Sequence, residues 1–351
     1  MTQAMPTFNT ATHATELQQA TALRGFDAEF KDLDHYIRAI TDRIWEGRRI
    51  QDIRRYYSDP CIVETPSSVS TSVQAVIDGT HATLAMFADR RLLAEDVIQS
   101  GDAQGGFLSS HRIISPMTHT GDGLFGKATG RKLQVRTIAD CVCKDNRITH
   151  EWLVRDQAAI ALQIGTTPQA LAQQWLNARG SFNKPEAGPA PGYYQSHISN
   201  SSLAQGYAQA IEAFSAGQSP TALAYDDAVH HIGHGGVTRY GHAQVGAYWT
   251  DLFSALKPHA FTVEHLALQH GGGRADRAAL RWRAQCTAVS DAFSASRALN
   301  DCSSSYEFKS NSGVELMGIN HVEFYQGRVL REYVLIDEVA LWMQILKPDN
   351  S

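Results

Sequence analysis

Acidic residues at fixed intervals near the middle of the chain are the first candidates for chemistry: Asp140, Glu151 eleven positions on, and Asp156 five further. The same intervals recur near the C-terminus as His321, Glu332 and Asp337. Arg147 and Arg328 fall at equal offsets, and apolar positions match as well: Ile138 with Ile319, Ile148 with Val329, Trp152 with Tyr333, Leu153 with Val334. Four of twenty aligned positions are identical, so one module occurs twice, through an old duplication or a shared architecture. Ionisable groups inside otherwise apolar strands are where a pocket chemistry would sit. Two carboxylates on one poorly solvated face cannot both ionise freely, and one then keeps its proton near neutrality, as a general acid or base must.

Strands and turns have to position these groups. A two-residue turn at Asp145-Asn146 pairs Lys144 with Arg147 and sets Asp140 opposite Glu151; a turn at Gln326-Gly327 sets His321 opposite Glu332. Arg136 and Arg155 share that face and are available to neutralise the pair. On a solvated face these would be ordinary surface pairs, and any change in register dissolves the Asp140–Glu151 contact. Asp156 and Asp337 each precede an apolar helical segment, which gives them a plain role as N-caps. His111 falls in a strand, and His119 in a loop rich in Gly, Thr and Ser that ends at Arg131; a loop histidine there is a candidate acid, base or donor at a pocket edge. His230, His231, His234 and His242 cluster without a metal spacing, so no metal is expected. The five cysteines show no zinc spacing; Cys141 and Cys143 alternate along one strand and read as reduced core thiols.

The wider pattern is helices first, then a long antiparallel meander, stated twice. Helical periodicity covers 31–57, divided at Gly47, and 72–87; strands follow near 61–64, 92–100, 107–114, 133–144 and 147–155, then helices over 156–163 and 168–178. The second half repeats this with helices over 202–216 and 242–256, strands near 261–269, 278–289, 313–325 and 329–336, and a closing helix over 337–345. This predicts an α+β fold. The boundaries are a tail over 1–30, a first domain over 31–180, a Pro- and Gly-rich linker over 181–198, and a second domain over 199–346.

With 351 residues, 43% hydrophobic and 19% charged, the chain has the composition of a soluble globular protein of two domains. A net charge of −5 with no basic run argues against a nucleic-acid partner. No apolar stretch is long enough to span a bilayer, and the N-terminus lacks the basic start and apolar core of a secretory signal, so no membrane partner and a cytoplasmic location are expected. No glycine-rich phosphate loop lies between a strand and a helix.

Thr118-His119-Thr120-Gly121, Gly123, Phe125-Gly126, Thr129-Gly130-Arg131, Asp145-Asn146-Arg147-Ile148, Glu151-Trp152, Asp156 and Gln163-x-Gly165 together resemble the SnoaL-like polyketide cyclase family. That family belongs to the nuclear transport factor 2-like superfamily, with ketosteroid isomerase and limonene epoxide hydrolase. The likeness covers roughly 32–166; the second half is similar in element order and last hairpin, but 290–305 departs from the motif. The resemblance implies two tandem cone-shaped α+β barrels, each a curved antiparallel sheet wrapped on helices around an apolar pocket. It implies acid–base chemistry beside a carbonyl with no metal or organic cofactor, Asp156 being the base and Asp140 assisting. Glu151 would share a proton with Asp140, and His119 would donate to the developing oxyanion. His111, Arg136, Trp152 and Phe125 are the expected substrate contacts, and Asp337 with His321 the candidates for a second site. Members of this type pair as homodimers, so an intrachain pseudo-dimer is expected here, with further homodimerisation open. Two readings stand: a cofactor-independent cyclase, isomerase, lyase or hydratase acting on a small apolar carbonyl compound, or a noncatalytic ligand-binding or scaffolding protein with a relic pocket.

Overall fold

In the computed structural model, which describes residues 23–192, 194, 197–298 and 308–347, two six-stranded sheets follow one plan. In the first half α1 (Leu33–Thr41) and α2 (Ile53–Tyr56) lead into β1 (Tyr57–Thr65), β2 (Ser68–Ser70) and α3 (Val73–Met86). The meander β3 (Leu93–Asp102), β4 (Gly106–Thr118), β5 (Lys132–Lys144) and β6 (Arg147–Arg155) follows, closed by α4 (Gln157–Ile164) and α5 (Pro168–Arg179). The second half has α6 (Ser202–Ser215), α7 (Thr221–Ala224), β7 (Tyr225–Ile232), β8 (Thr238–Tyr240) and α8 (Gly241–Leu256). It continues through β9 (Pro258–Gln269), β10 (Arg277–Ala288), α9 (Ala295–Ala298), β11 (Ser312–Tyr325), β12 (Arg328–Ile336) and α10 (Glu338–Leu346).

Local chemistry explains these elements. Asp32 accepts the His35 N–H at 2.7 Å to start α1, whose Leu33, Tyr36, Ile37 and Ile40 form one buried face. Ser72 caps α3 in the same way, and α4 stops at Gly165, whose φ of 94° suits a residue without Cβ. The tail expected over 1–30 ends earlier: Phe26 and Phe30 pack their rings on Tyr36 at 4.8 and 5.0 Å, while residues 1–22 lie outside the described ones.

The sheets are ordered β2-β1-β6-β5-β4-β3 and β8-β7-β12-β11-β10-β9. They are mixed rather than wholly antiparallel, because β1 pairs parallel with β6 and β7 with β12. A strand that joins the far end of the meander across a helical crossover is free to run in either direction, whereas tight hairpins force reversal.

The hairpin turn is as the sequence predicts, with positive φ at Asp145 and Asn146 and Lys144 opposite Arg147. The register beyond it is not. Val142 pairs with His150 and Cys143 with Ile148, leaving Thr149 as the extra residue of a bulge. Asp140 therefore faces Trp152, Cys141 faces Glu151, and Asp140 and Glu151 point to opposite sides of the sheet. The second hairpin repeats the slip: His321 pairs with Tyr333, and Val322 with Glu332.

The convex faces of the two sheets pack together. Leu108, Ile138, Val142, Trp152 and Val154 of the first join Met317, Ile319 and Leu335 of the second in one buried cluster. Cation–π contacts cross this seam in matching fashion. Arg112 on β4 lies over the Tyr333 ring at 3.5 Å, and Arg281, its counterpart on β10, lies over Trp152 at 3.7 Å. Lys184 ties the linker across it, 2.8 Å from Glu64 and 3.3 Å from Glu315. No described helix is long and apolar enough to cross a membrane.

The concave sides of the two halves differ. Register equates Ile113 and Thr137 of the first with Trp282 and Gly318 of the second. Trp282 is wholly buried, and a Cβ on Gly318 would lie 2.2 Å from its ring, so the indole fills the second barrel through a gap only glycine leaves. Gly318→Ala is expected to overpack this site and cost about 1–3 kcal/mol, read as a lower denaturant midpoint. An unchanged midpoint would mean that the indole has somewhere else to go.

Candidate active site

The first barrel holds a cavity of about 380 Å³. Its apolar walls include Ile37 and Ile40 of α1, Val76 of α3 and Ile113, Ala139, Ile148 and Leu153 of the sheet. The ionisable groups on its wall include Tyr57, Arg90, His111, Glu151, Arg155, Arg179 and, from the second half, Asp337, and hydroxyl and amide side chains such as Ser67, Ser68, Ser70, Thr137 and Gln157 add to its polar lining. Alternation along β6 explains part of this set, since Glu151, Leu153 and Arg155 all point inward.

Glu151 is 5% exposed and accepts the Tyr57 hydroxyl at 3.2 Å. Burial pushes its carboxyl up to about 7, against the opposing pull of Tyr57 and Arg155. Asp337 is likewise pushed up to about 7 by burial; its Oδ1 accepts the Ala340 N–H at 3.0 Å, and neighbouring Asp156 adds to the rise. His111 is held neutral, its pKa lowered by burial to about 3, and its Nε2 has no hydrogen-bond partner among the described residues.

These shifts fix a sign. A carboxyl whose pKa is raised on folding binds more protons folded than unfolded between the two values, so stability falls as pH rises through that window. For Glu151 the window runs from about 4.5 to about 7. Glu151→Gln is expected to flatten that part of the stability curve and to gain roughly 2–3 kcal/mol over the parent at pH 8. Denaturant titrations at pH 5 and pH 8 measure this; equal pH dependence in parent and variant would place the charge in a solvated setting.

The structure divides the residues singled out from the sequence. Glu151 and His111 line the chamber, and Asp337 lines it from the other domain. Asp140 does not. It is wholly buried in the seam between the sheets, 2.6 Å from Arg281 Nη1 and bonded by Ser110, whose hydroxyl also meets His321 Nε2 at 2.8 Å. His321 therefore sits beside Asp140 rather than in a second pocket. Asp156 is the N-cap of α4, and its carboxylate takes three backbone N–H bonds: Ala159 at 2.9 Å, and Gly235 and Gly236 of the second half at 2.8 and 3.0 Å. Both glycines have positive φ, 73° and 71°, which turns successive N–H groups toward one anion. Asp156 is thus a latch between domains and lies off the chamber wall.

His119 bonds Thr129 at 3.3 Å and packs on Phe87, and Phe125 is enclosed by Phe87 and Trp175; both pin the loop rather than meet the chamber. Arg136 pairs with Glu95 at 2.9 Å on the convex face, and Trp152 lies beneath Arg281. The bulge at Thr149 accounts for the parting of Asp140 and Arg136 from Glu151 and Arg155, whereas His119 and Phe125 lie in the loop between β4 and β5, outside any strand register. Arg90 and Tyr57 escaped notice because neither sits in a periodic run with the acids.

In the second half Glu332, the counterpart of Glu151, is saturated by Tyr207 at 2.7 Å, Tyr225 at 2.7 Å and His231 at 2.6 Å. His234 is bonded to Tyr248 and to the Phe293 carbonyl, and His242 to the Tyr225 carbonyl. Among the described residues no three His, Cys, Asp or Glu side chains gather as a metal ion would require. The four described cysteines, Cys61, Cys141, Cys143 and Cys286, are free and buried; Cys302 lies outside the described residues.

Comparison with known proteins agrees with this architecture. The SnoaL-like polyketide cyclase family matches residues 35–164, and a SnoaL-like domain family matches residues 207–332. The chain belongs to the SnoaL-like proteins, as two such α+β cone folds in tandem. Similar solved structures include IdmH of Streptomyces antibioticus, with 18% identity over 38% of this chain and 98% of that one and a TM-score of 0.34. A SnoaL-like polyketide cyclase of Agrobacterium tumefaciens has 20% identity over 38% and 98%, with a TM-score of 0.31. TsrD of Streptomyces laurentii has 16% identity over 38% and 94%, with a TM-score of 0.33. No curated protein sequence matches the chain.

Proposed function

We propose that the first domain is a cofactor-independent acid–base enzyme of the cyclase or isomerase type, acting on a small, largely apolar carbonyl compound held in its chamber. The observation that carries this is the pair of buried carboxyls, Glu151 and Asp337, each poised at about 7 on the wall of one apolar cavity. Poor solvation keeps a carboxylate basic enough to remove a proton beside a carbonyl, and keeps a carboxylic acid able to donate to the resulting enolate oxygen. Asp337 is the base. Glu151, protonated and backed by Tyr57, is the donor, and neutral His111 offers a second one. The second domain supports this site: it supplies Asp337, and its own barrel is filled by Trp282.

Deuterium uptake tests the reading. Cyclic ketones and β-keto esters are incubated with the protein in heavy water, and exchange at the carbon beside the carbonyl is followed by mass spectrometry. Acceleration over buffer for compounds that calorimetry shows to bind supports the enzyme. Bound compounds that exchange no faster than in buffer would leave a binding protein instead.

A further inference from the structure

Resting on the reading of this chamber as a ligand site, we infer that its inner end is an anion site, built by Arg90, Arg155, Ser115 and Thr137, that takes a carboxylate group of the ligand.

Arg90 is 7% exposed, and Arg155 faces the chamber from β6. Both also line a crevice of about 10 Å³ with Ser115 and Thr137, backed by apolar Phe87 and Met117. Its polar lining is unsatisfied. The Ser115 and Thr137 hydroxyls, 1% and 3% exposed by residue, and Arg155 Nε have no hydrogen-bond partner among the described residues. Neither guanidinium pairs with a carboxylate of a described residue. The other two arginines as buried as Arg90 do: Arg112 holds Glu95 at 3.1 Å, and Arg281 holds Asp140 at 2.6 Å.

A guanidinium removed from water with no carboxylate at hydrogen-bonding distance is costly, and the cost persists where a ligand supplies that partner; Glu151 and Asp337 act on Arg155 only at longer range. Burial pushes both arginine pKa values down, which is the same penalty seen as acidity. The crevice has room for about one water-sized group. That suits a carboxylate oxygen, with its flat partner received by the planar forks of two arginines, better than a tetrahedral phosphate. The hydroxyls of Ser115 and Thr137 complete the donor set. A ligand carboxylate would also offset the pull of Arg155 on Asp337, so that filling the anion site leaves the neighbouring base strong.

The test is calorimetric titration of the full chain with phenylacetate and 4-phenylbutyrate against their neutral amides. The carboxylates are expected to bind about 10- to 100-fold more tightly than the amides. Arg90→Met and Arg155→Gln should each erase the preference. Arg90→Met without ligand should also melt higher than the parent, because an unpaired buried charge has gone. Equal affinity for acid and amide in the parent, or a preference that survives in either variant, would overturn the anion site. So would a lower melting temperature of Arg90→Met with its preference intact, which marks a structural arginine. Should Arg90→Met not fold, Arg155→Gln decides alone. Deuterium exchange separates the two proposals: exchange without carboxylate preference removes the anion site only, whereas preference without exchange upholds it and removes the acid–base chemistry.

Discussion

Asp337→Asn is expected to lower proton exchange in the first-domain chamber by about 10²- to 10⁴-fold, the range that a positioned general base contributes. Asparagine keeps the shape of the side chain and can still accept the Ala340 N–H that the carboxylate now caps, so fold and ligand affinity should hold. The pH profile should be bell-shaped. Activity rises as Asp337 ionises near 7 and falls as Glu151 loses its proton near 7. Kinetics of Asp337→Asn and Glu151→Gln across pH 5–9 measure this. Full exchange by Asp337→Asn would show that the proton leaves to another group.

Asp156→Asn makes the opposite prediction, although the two aspartates hold equivalent places before equivalent helices. Asp156 already spends its oxygens on three N–H groups, two of them from the Gly235-Gly236 tip of the hairpin between β7 and β8. The matching hairpin of the first half is one residue shorter and has no glycine pair, and its Ser67 and Ser68 line the chamber alongside Asp337. One aspartate is therefore a latch and the other is open to a ligand. A tandem chain permits this division of labour, whereas identical subunits would have to repeat one role twice.

That division also marks where the sequence stopped being readable. Element order, both hairpin turns and the capping aspartates follow from periodicity, turn chemistry and N-cap preference, each a short-range effect. Counting back from the two-residue turns sets Asp140 opposite Glu151 and His321 opposite Glu332, and a bulge in each hairpin parts the pair onto opposite sides of its sheet. A bulge such as that at Thr149 has no glycine or proline to announce it; β-branched Thr149 fits a strand as well as its neighbours do. Arg155 was placed by parity on the Glu151 face and stays there. Arg90 had no such guide, because it follows α3 in a short turn where neither helical nor strand period applies. The reach of Asp337 into the other domain depends on how two sheets dock, which no local pattern encodes.

Arg281→Ala is expected to cost about 3–5 kcal/mol and to lower the melting temperature by on the order of 10 °C. Arg281 is 2% exposed and Asp140 wholly buried, in the seam where the sheets meet. Truncation removes the 2.6 Å ion pair, the 3.1 Å contact to Glu264 and the stack on Trp152, and leaves the Asp140 carboxylate in a nearly anhydrous setting. The loss should shrink toward low pH, because a stranded carboxylate escapes the penalty by taking up a proton. Removing both charges should cost less than removing one. In Arg281→Met with Asp140→Asn, methionine keeps much of the buried volume and asparagine can still bond Ser110, so the double variant is expected to recover a large part of the lost stability. Denaturant titration of the parent, both single variants and the double measures the coupling. Costs that simply add would mean that Arg281 stabilises the seam by packing on Trp152, with Asp140 an independent neighbour.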